Sequence, residues 1–345
     1  MFYNMNKTLL ILFLFFYSWA NSQTVSGTVV DSNEEPIFGA SVYFDGTLYG
    51  TTTDIDGKFS LDIKSSINTS LVVSFLGYEN LYLKDINFNN RYKFTLKESV
   101  VSLKEVAVFN SEFTRKQMMS FFKKEFLGNT KAGKRCTIEN EDELYFTYDK
   151  ENFVLNVFAD KPLIINNPFL GYKVYFDLKS FKAKFFKYSI ENSALFSSIY
   201  GGTSRFVETS NGSQIIKNRE KIFKGSFLEF FRNFAEMDWN KDKFLLFYKS
   251  FQVNPKDYFT VKNILEEGKE VTVAPQEKQL KPRGFVAEFS LLYDRKEQSK
   301  IIFHTDNFVI DKYGLFSDFD KIYFSGALSE KKVGDMLPSN YGIEE

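Results

Sequence analysis

The sequence contains very few of the side chains that bind metal ions or form disulfides. Its 345 residues include one histidine, His304, and one cysteine, Cys136. Structural zinc sites are built mainly from several Cys and His ligands, and a disulfide needs a pair of cysteines. Zinc fingers, iron–sulfur clusters, internal disulfides, His-rich catalytic metal centres and Cys–His nucleophilic pairs are therefore excluded for this chain by itself. We expect no cofactor.

The chain also lacks an excess of charge of either sign. It has 44 Lys and Arg residues against 44 Asp and Glu residues, and the two signs alternate locally, as in Lys241-Asp242-Lys243. Proteins that bind nucleic acid carry clustered Lys and Arg on a basic domain. We therefore expect no nucleic-acid partner, and membrane association only through another protein.

Long hydrophobic runs are absent beyond the first 22 residues. Lys7 is followed by the apolar run Thr8 to Ala20, and Ala20-Asn21-Ser22 has the small-x-small pattern of a signal-peptide cleavage site. An apolar run of about 13 residues is too short to span a bilayer, which takes roughly 20. Residues 1–22 are therefore predicted to be a signal peptide, and the chain to be periplasmic or associated with the outer membrane.

Export would leave Cys136 unpaired in an oxidising compartment. Three interpretations are open: a buried inert thiol, an intermolecular disulfide, or a reactive site. We favour the first, because a free cysteine usually packs as a small hydrophobic residue. Lys134 and Arg135 could lower its pKa, but no second Cys or nearby His completes a mechanism.

Aromatic residues are abundant, with 41 Phe and 19 Tyr. From Thr24 to Lys97 apolar residues alternate with polar ones, and turn residues recur about every eight to twelve positions. Asp56-Gly57 precedes Phe59, Leu61 and Ile63 at period two, which predicts a tight hairpin because primed turns need positive φ. Residues 23–98 are therefore predicted to form a seven-stranded β-sandwich.

Several ordered motifs lie in this region. They are SGTVVD at Ser26–Asp31, Pro36, Gly39-Ala40-Ser41-Val42, the run from Gly50 to Leu61, and Val72 to Tyr78. Together they resemble the carboxypeptidase regulatory-like domain, a prealbumin-like β-sandwich of exported Bacteroidetes proteins and of the N-terminal extensions of TonB-dependent receptors. Val100 to Val108 (VVSLKEVAV) is similar to the connector that leads into a receptor plug. Neither a plug nor enough chain for a receptor barrel follows, so we expect a protein other than such a receptor.

The resemblance implies a rigid, non-catalytic β module. A zinc carboxypeptidase needs two His and a Glu around its metal, which a chain with one His cannot supply. Asp54-x-Asp56-Gly57 begins like an EF-hand loop, but Lys58 to Leu61 runs directly into a strand pattern without a closing Glu. We interpret these acidic residues as a turn.

After the connector the periodicity changes. Met118, Phe121, Phe122 and Phe126 have helical spacing before Gly128, so residues 99–128 are predicted to be a connector and linker helix. Residues 129–345 are predicted to form an α+β domain rich in antiparallel sheet, because period-two strand patterns dominate from Asp142. This part resembles more loosely the C-terminal region of exported proteins of the same group.

Two local features of the second domain are distinctive. Ser226-x-x-Glu229 is a capping box that predicts a helix with Phe227, Phe230, Phe231, Phe234 and Met237 on one face. The pattern of residues 240–285 does not distinguish strand from helix, and we expect a loop from Val271 to Arg283. The whole chain is thus predicted to be mainly β with some α.

The sequence contains no recognisable set of catalytic residues. His304 has no G-x-S-x-G nucleophile partner in the sequence. The acidic set Glu139, Glu141, Asp142 and Glu143 is interpreted as a solvated loop. We therefore predict no catalytic, cofactor-binding or metal-binding residue.

Aromatic residues near predicted loops are the candidate ligand contacts, since flat rings suit sugars and hydrophobic partners. They are Tyr200, Trp239, Tyr248 and Tyr258. Their alternative role is core packing. The sequence favours a non-catalytic envelope protein that acts as a binding or assembly module for an envelope protein or glycan. A carboxylate-based hydrolase and a small outer-membrane β-barrel are the alternatives.

Overall fold

The computed structural model of the chain describes residues 23–63, 69–84, 86–88, 90–99, 112–264, 268–275 and 284–343. These residues form three α-helices and five open β-sheets. The predicted signal peptide at 1–22 and the connector motif at 100–108 lie outside them. None of the helices in these ranges has the length and apolarity to cross a membrane.

The N-terminal part is a sandwich of two sheets, as predicted. One sheet has the strand order β4-β1-β7, with β1 parallel to β7, and the other has the order β3-β2-β5-β6. Buried residues such as Val25, Val42 and Phe94 fill the space between the sheets. The strands are β1 (Gln23–Val30), β2 (Ser41–Phe44), β3 (Gly50–Thr52), β4 (Lys58–Ile63), β5 (Leu71–Ser74), β6 (Leu81–Leu83) and β7 (Arg91–Thr95).

The turn at Asp56-Gly57 forms, but the hairpin predicted around it is wrong. The Asp54 carboxylate accepts the backbone N–H groups of Asp56 at 3.0 Å and Lys58 at 2.8 Å. Gly57 has φ +70°, and a Cβ there would lie 2.5 Å from the Val29 carbonyl oxygen. The strands on either side, β3 and β4, belong to different sheets. The turn therefore carries the chain between the two layers.

The predicted linker helix is α1 (Arg115–Leu127). Thr114 accepts the Gln117 backbone N–H and the Gln117 side chain accepts that of Thr114, so a capping box begins the helix one turn earlier than the apolar pattern indicated. Phe122 and Phe126 are fully buried. Their rings meet Phe181 and Phe176 of the next sheet at centroid distances of 5.0 and 5.1 Å.

Helix α1 covers a six-stranded sheet with the order β8-β11-β12-β10-β9, in which β13 pairs with the other side of β12. The long hairpin of β12 and β13 organises this sheet, since each of these strands has 14 residues. The strands are β8 (Thr137–Ile138), β9 (Leu144–Asp149), β10 (Val154–Ala159), β11 (Leu163–Asn167), β12 (Tyr172–Phe185) and β13 (Leu195–Glu208).

The remaining helices are α2 (Ser213–Phe223) and α3 (Phe227–Ala235). The Ser226 hydroxyl accepts the Glu229 backbone N–H, as the sequence predicted. The Glu229 carboxylate accepts the Gly225 N–H, one residue before the expected partner. Phe230, Phe231 and Phe234 are buried, whereas Met237 follows the helix with φ +52°.

Helix α3 fills a third core between a five-stranded sheet (β15-β14-β18-β19-β21) and a three-stranded one (β16-β17-β20). Val271–Val273 belong to β17, so the expected loop was wrong there; residues 276–283 lie outside the described ranges. The strands are β14 (Phe244–Tyr248), β15 (Phe251–Gln252), β16 (Phe259–Ile264), β17 (Gly268–Val273), β18 (Ala287–Tyr293), β19 (Glu297–Phe303), β20 (Asn307–Ile310) and β21 (Ile322–Gly326).

The loop after β2 joins the sandwich to the rest of the molecule. The Gly46 backbone N–H donates to the Ser204 carbonyl at 2.7 Å, and the Phe206 N–H donates to the Thr47 carbonyl at 3.0 Å. Thr47 thereby forms a parallel bridge with Arg205 of β13. The Ser339 N–H donates to Gly46 at 2.7 Å, which adds the C-terminal segment to the same junction.

Candidate functional site

A large cleft of about 1360 Å³ lies between the core of the six-stranded sheet and the third core, with the loop after β2 at one side. Its walls come from β13, from the end of α1, from the region of β21, and from the C-terminal segment around Lys332. Five large apolar side chains in it are more than one-third exposed, namely Phe196 (59%), Ile199 (39%), Leu315 (37%), Phe319 (61%) and Tyr323 (39%). The cleft therefore gathers apolar surface that protein interiors normally bury.

The polar centre of the cleft is the Glu125 carboxylate, from the last turns of α1. Glu125 is 8% exposed. The Asn192 side-chain amide donates to it at 2.5 Å and the Ser198 hydroxyl at 3.1 Å, while the Lys332 ammonium lies 3.8 Å away. Burial lowers the pKa of Lys332, and the charge of Glu125 opposes that shift. These contacts link α1, β13 and the C-terminal segment around one charge pair.

A second buried carboxylate, Asp335, lies at the floor of the cleft. The Thr130 hydroxyl is 2.9 Å from both of its oxygens. Burial raises the pKa of Asp335. Nearby, burial raises the pKa of Cys136 to about 12, and its thiol donates to the Ala132 carbonyl. The thiol is therefore protonated at neutral pH and is a poor nucleophile.

The four aromatic residues singled out in the sequence fall in two places. Tyr200 lines the cleft, with its ring against Phe126 at 5.2 Å. Trp239, Tyr248 and Tyr258 instead pack around the third core. Trp239 stacks on Phe259 at 6.2 Å, and Tyr248 and Tyr258 meet Phe289 at 6.2 and 5.1 Å.

His304 lies at the rim of the cleft, just after β19. Its Nδ1 is 2.8 Å from the Gly284 carbonyl oxygen, and its ring meets Tyr323 edge-on at 4.8 Å. The acidic set lies elsewhere, where Glu139, Glu141 and Glu143 pair with Lys173, Lys123 and Lys161. In the described ranges no group of three or more His, Cys, Asp or Glu side chains could hold a metal ion.

Sequence reasoning did not single out the exposed cleft residues Phe196, Phe319 and Tyr323. Phe196 and Tyr323 stand directly beside other apolar residues, as core residues often do, and Phe319 is a single ring between Asp318 and Asp320. One signal was present in the sequence: Asn192 to Ser204 carries no charged residue, which is unusual for a strand that borders solvent.

Comparison with known proteins places the similarity in the N-terminal part. A family model, the CarboxypepD_reg-like domain, matches residues 25–108. TonB-dependent receptor SusC of Bacteroides thetaiotaomicron is 36% identical over 120 residues, which is 34% of this chain and 12% of that receptor. TonB-dependent receptor P39 of Formosa agariphila is 36% identical over 105 residues, 28% of this chain and 10% of that receptor. The chain thus spans about a tenth of these relatives' length.

Among solved structures, a DUF3823 family protein from Bacteroides ovatus matches 55% of this chain and 83% of its own. Its TM-score is 0.18 at 10% identity. The matched family and the seven-stranded sandwich agree with each other and with the sequence motifs. Residues 25–108 therefore belong to the CarboxypepD_reg-like domain family.

Proposed function

We propose that the chain is a non-catalytic binding module of the bacterial cell envelope that holds its ligand in the cleft. The similarity of its N-terminal part to TonB-dependent receptors indicates an envelope-associated module. The predicted signal peptide at 1–22 supports a location in the periplasm or at the outer membrane. In this proposal the sandwich spans 23–98, the connector and linker helix 99–128, and the cleft-bearing domain 129–345.

The observation that carries the proposal is the exposed aromatic surface of the cleft. Phe196 and Phe319 are more than half exposed on walls built from β13 and from the segment before β21. Full burial of a large apolar side chain contributes about 1.5–3 kcal/mol. A ligand that covers Phe196, Phe319, Tyr323 and the neighbouring Tyr200 would gain a large part of its affinity from these rings.

The polar groups of the cleft support binding rather than catalysis. Glu125 accepts hydrogen bonds from Asn192 and Ser198, and Asp335 accepts one from Thr130. A hydrolase of the carboxylate type needs two carboxyl groups that reach the substrate. Here each carboxylate is engaged by neighbouring side chains and links separate segments of the chain.

Native mass spectrometry of the full-length chain, gently extracted from its own host's envelope, tests the proposal. We expect the wild-type chain to carry an added mass that the Phe196→Ser/Phe319→Ser variant loses. Phe251→Ser is the matched control, because Phe251 is 75% exposed outside the cleft, and this variant keeps the added mass. A wild-type chain without any added mass, or equal retention by the cleft variant, would refute the proposal.

A further inference from the structure

Strand β13 has one paired side and one largely free side. It pairs with β12 along its whole length, from Leu195 to Glu208. On its other side Gly46 and Thr47 bond to Ser204 and Phe206 at the end of the strand. Across the part of the chain that the structure describes, no strand pairs with the rest of this outer side, from Leu195 to Thr203.

The free side of β13 faces the cleft. Side chains alternate between the two faces of a sheet, so a cavity over one face is lined by every second residue. The cleft is lined by six consecutive residues, Leu195 to Tyr200, and then by Gly202 and Ser204. Because both faces contribute, the cleft runs along the edge of the strand.

From Ser197 to Thr203 the edge lacks the usual protection against strand pairing. Native proteins protect sheet edges with Lys, Pro or bulges. The run from Asn192 to Ser204 contains neither a charged residue nor a proline. One register shift puts an extra residue, Lys179, on β12, and a second puts an extra residue, Phe196, on β13 itself. The uninterrupted free edge of β13 therefore runs from Ser197 to Thr203.

We propose that this free edge receives an extended, uncharged peptide segment of a partner protein as an added β-strand. This inference rests on the proposed function and names the class of its ligand. Gly46 and Thr47 already bond to outward backbone groups at one end of this edge, and the added strand would continue that pairing along it. Added strands gain affinity from main-chain hydrogen bonds and specificity from pockets for alternate side chains.

The register identifies the backbone groups that bind the peptide. The Ser204 carbonyl and the Phe206 N–H point outward, since they bond to Gly46 and Thr47. Outward groups alternate along a strand, so those of Gly202, Tyr200 and Ser198 form the free row. Phe196, Phe319 and Tyr323 stand on the cleft walls beside this row and contact the peptide's side chains.

The test selects linear nonapeptides from a phage-displayed library on the full-length chain. We expect uncharged, apolar peptides to be enriched and to slow amide hydrogen exchange at residues 198–202. Methylation of alternate peptide nitrogens removes the main-chain donors and is expected to weaken binding at least tenfold. Ile199→Glu, whose new charge faces Lys182 in the register, is expected to weaken it similarly. Phe251→Glu, on the edge strand β15 outside the cleft, is the control and binds normally.

Four results would overturn the inference: no enrichment, binding that tolerates methylated peptides, protection elsewhere than β13, or a dimer of the chain on this edge that Ile199→Glu dissociates. Failure here is distinguishable from failure of the proposed function. If native mass spectrometry shows a cleft-dependent added mass while no peptide adds to β13, the proposed binding function is supported and the proposal of an added peptide strand is refuted.

Discussion

Asp45 and Asp311 are half-buried carboxyl groups at two structural turns. Burial raises the pKa of each to about 6, although backbone N–H groups donate to both. The Asp45 carboxylate accepts the Ser204 N–H at 2.7 Å, so it sits in the junction between the sandwich and β13. The nearby charge of Asp177 also raises its pKa.

Asp45 therefore makes stability depend on pH. Its folded-state pKa of about 6 lies above the unfolded value of about 3.9, so the folded chain holds the proton more tightly between these values. The free energy of unfolding falls as pH rises from about 4 to about 6, and acidification restores it. We expect Asp45→Asn to reduce the fall in the free energy of unfolding between about pH 4 and pH 6 by about 1–2 kcal/mol, as measured by urea unfolding. Asp142→Asn, at an exposed position, should leave the slope as in the wild type; an unchanged slope in Asp45→Asn would contradict the assignment.

At the residue scale, the sequence identified the residues of a local turn but not which side chains are buried or exposed in the folded chain. Asp54 and Gly57 were correctly assigned to a turn, because its hydrogen bonds join residues a few positions apart. Asp45 could not be distinguished from the other acidic residues, since its hydrogen-bond donor Ser204 lies 159 positions away in the sequence. The exposure of Phe319 was hidden for the same reason.

At the scale of elements, α2 is held against the six-stranded sheet by Arg219, a buried arginine. Its Nε donates to the Leu170 carbonyl at 2.7 Å and its Nη2 to the Ser210 carbonyl at 2.7 Å. Its Nη1 forms an ion pair with the Glu208 carboxylate, and the guanidinium lies 3.9 Å from the centre of the Tyr172 ring. One side chain thus satisfies carbonyl groups from two segments.

Arg219→Lys is expected to lower the free energy of unfolding by about 2–3 kcal/mol, because a single ammonium cannot span the planar fork and leaves carbonyl groups unpaired. Chemical denaturation measures the loss. Lys217→Arg, an exposed position on the same helix, should change stability by less than about 0.5 kcal/mol. Equal stability of Arg219→Lys and the wild type would show that the fork is dispensable.

Helices and turns that are defined by local sequence patterns were predicted better than the pairing of strands within sheets. The apolar spacing of α1 and the Ser226 cap of α3 were recognised because both involve residues within a turn. The pairing of β3 and β4 was wrongly inferred from Asp56-Gly57, since a tight turn fixes the chain direction but not the sheet that the next strand joins. Strand β17 was missed at Val271–Val273, where the sequence has only a short apolar alternation.

At the scale of the whole molecule, the cleft exists because the core of the six-stranded sheet and the third core meet without filling the space between them. Its walls combine Glu125, Phe196, Phe319 and Lys332, which are far apart in the sequence. Composition indicated that most aromatic residues are core, and Trp239, Tyr248 and Tyr258 are partly buried against the third core. Only the relative placement of the cores shows which rings stay exposed, and no local pattern encodes that placement.

The central claim, that the cleft is where this protein binds its ligand, is tested most directly by photo-crosslinking in the intact envelope of the native host. A photoreactive amino acid replaces Phe319 in one variant and Phe251, which is also more than half exposed but lies outside the cleft, in another. We expect a discrete crosslinked species from position 319 that is absent from position 251. The same species from both positions, or none from 319, would contradict it.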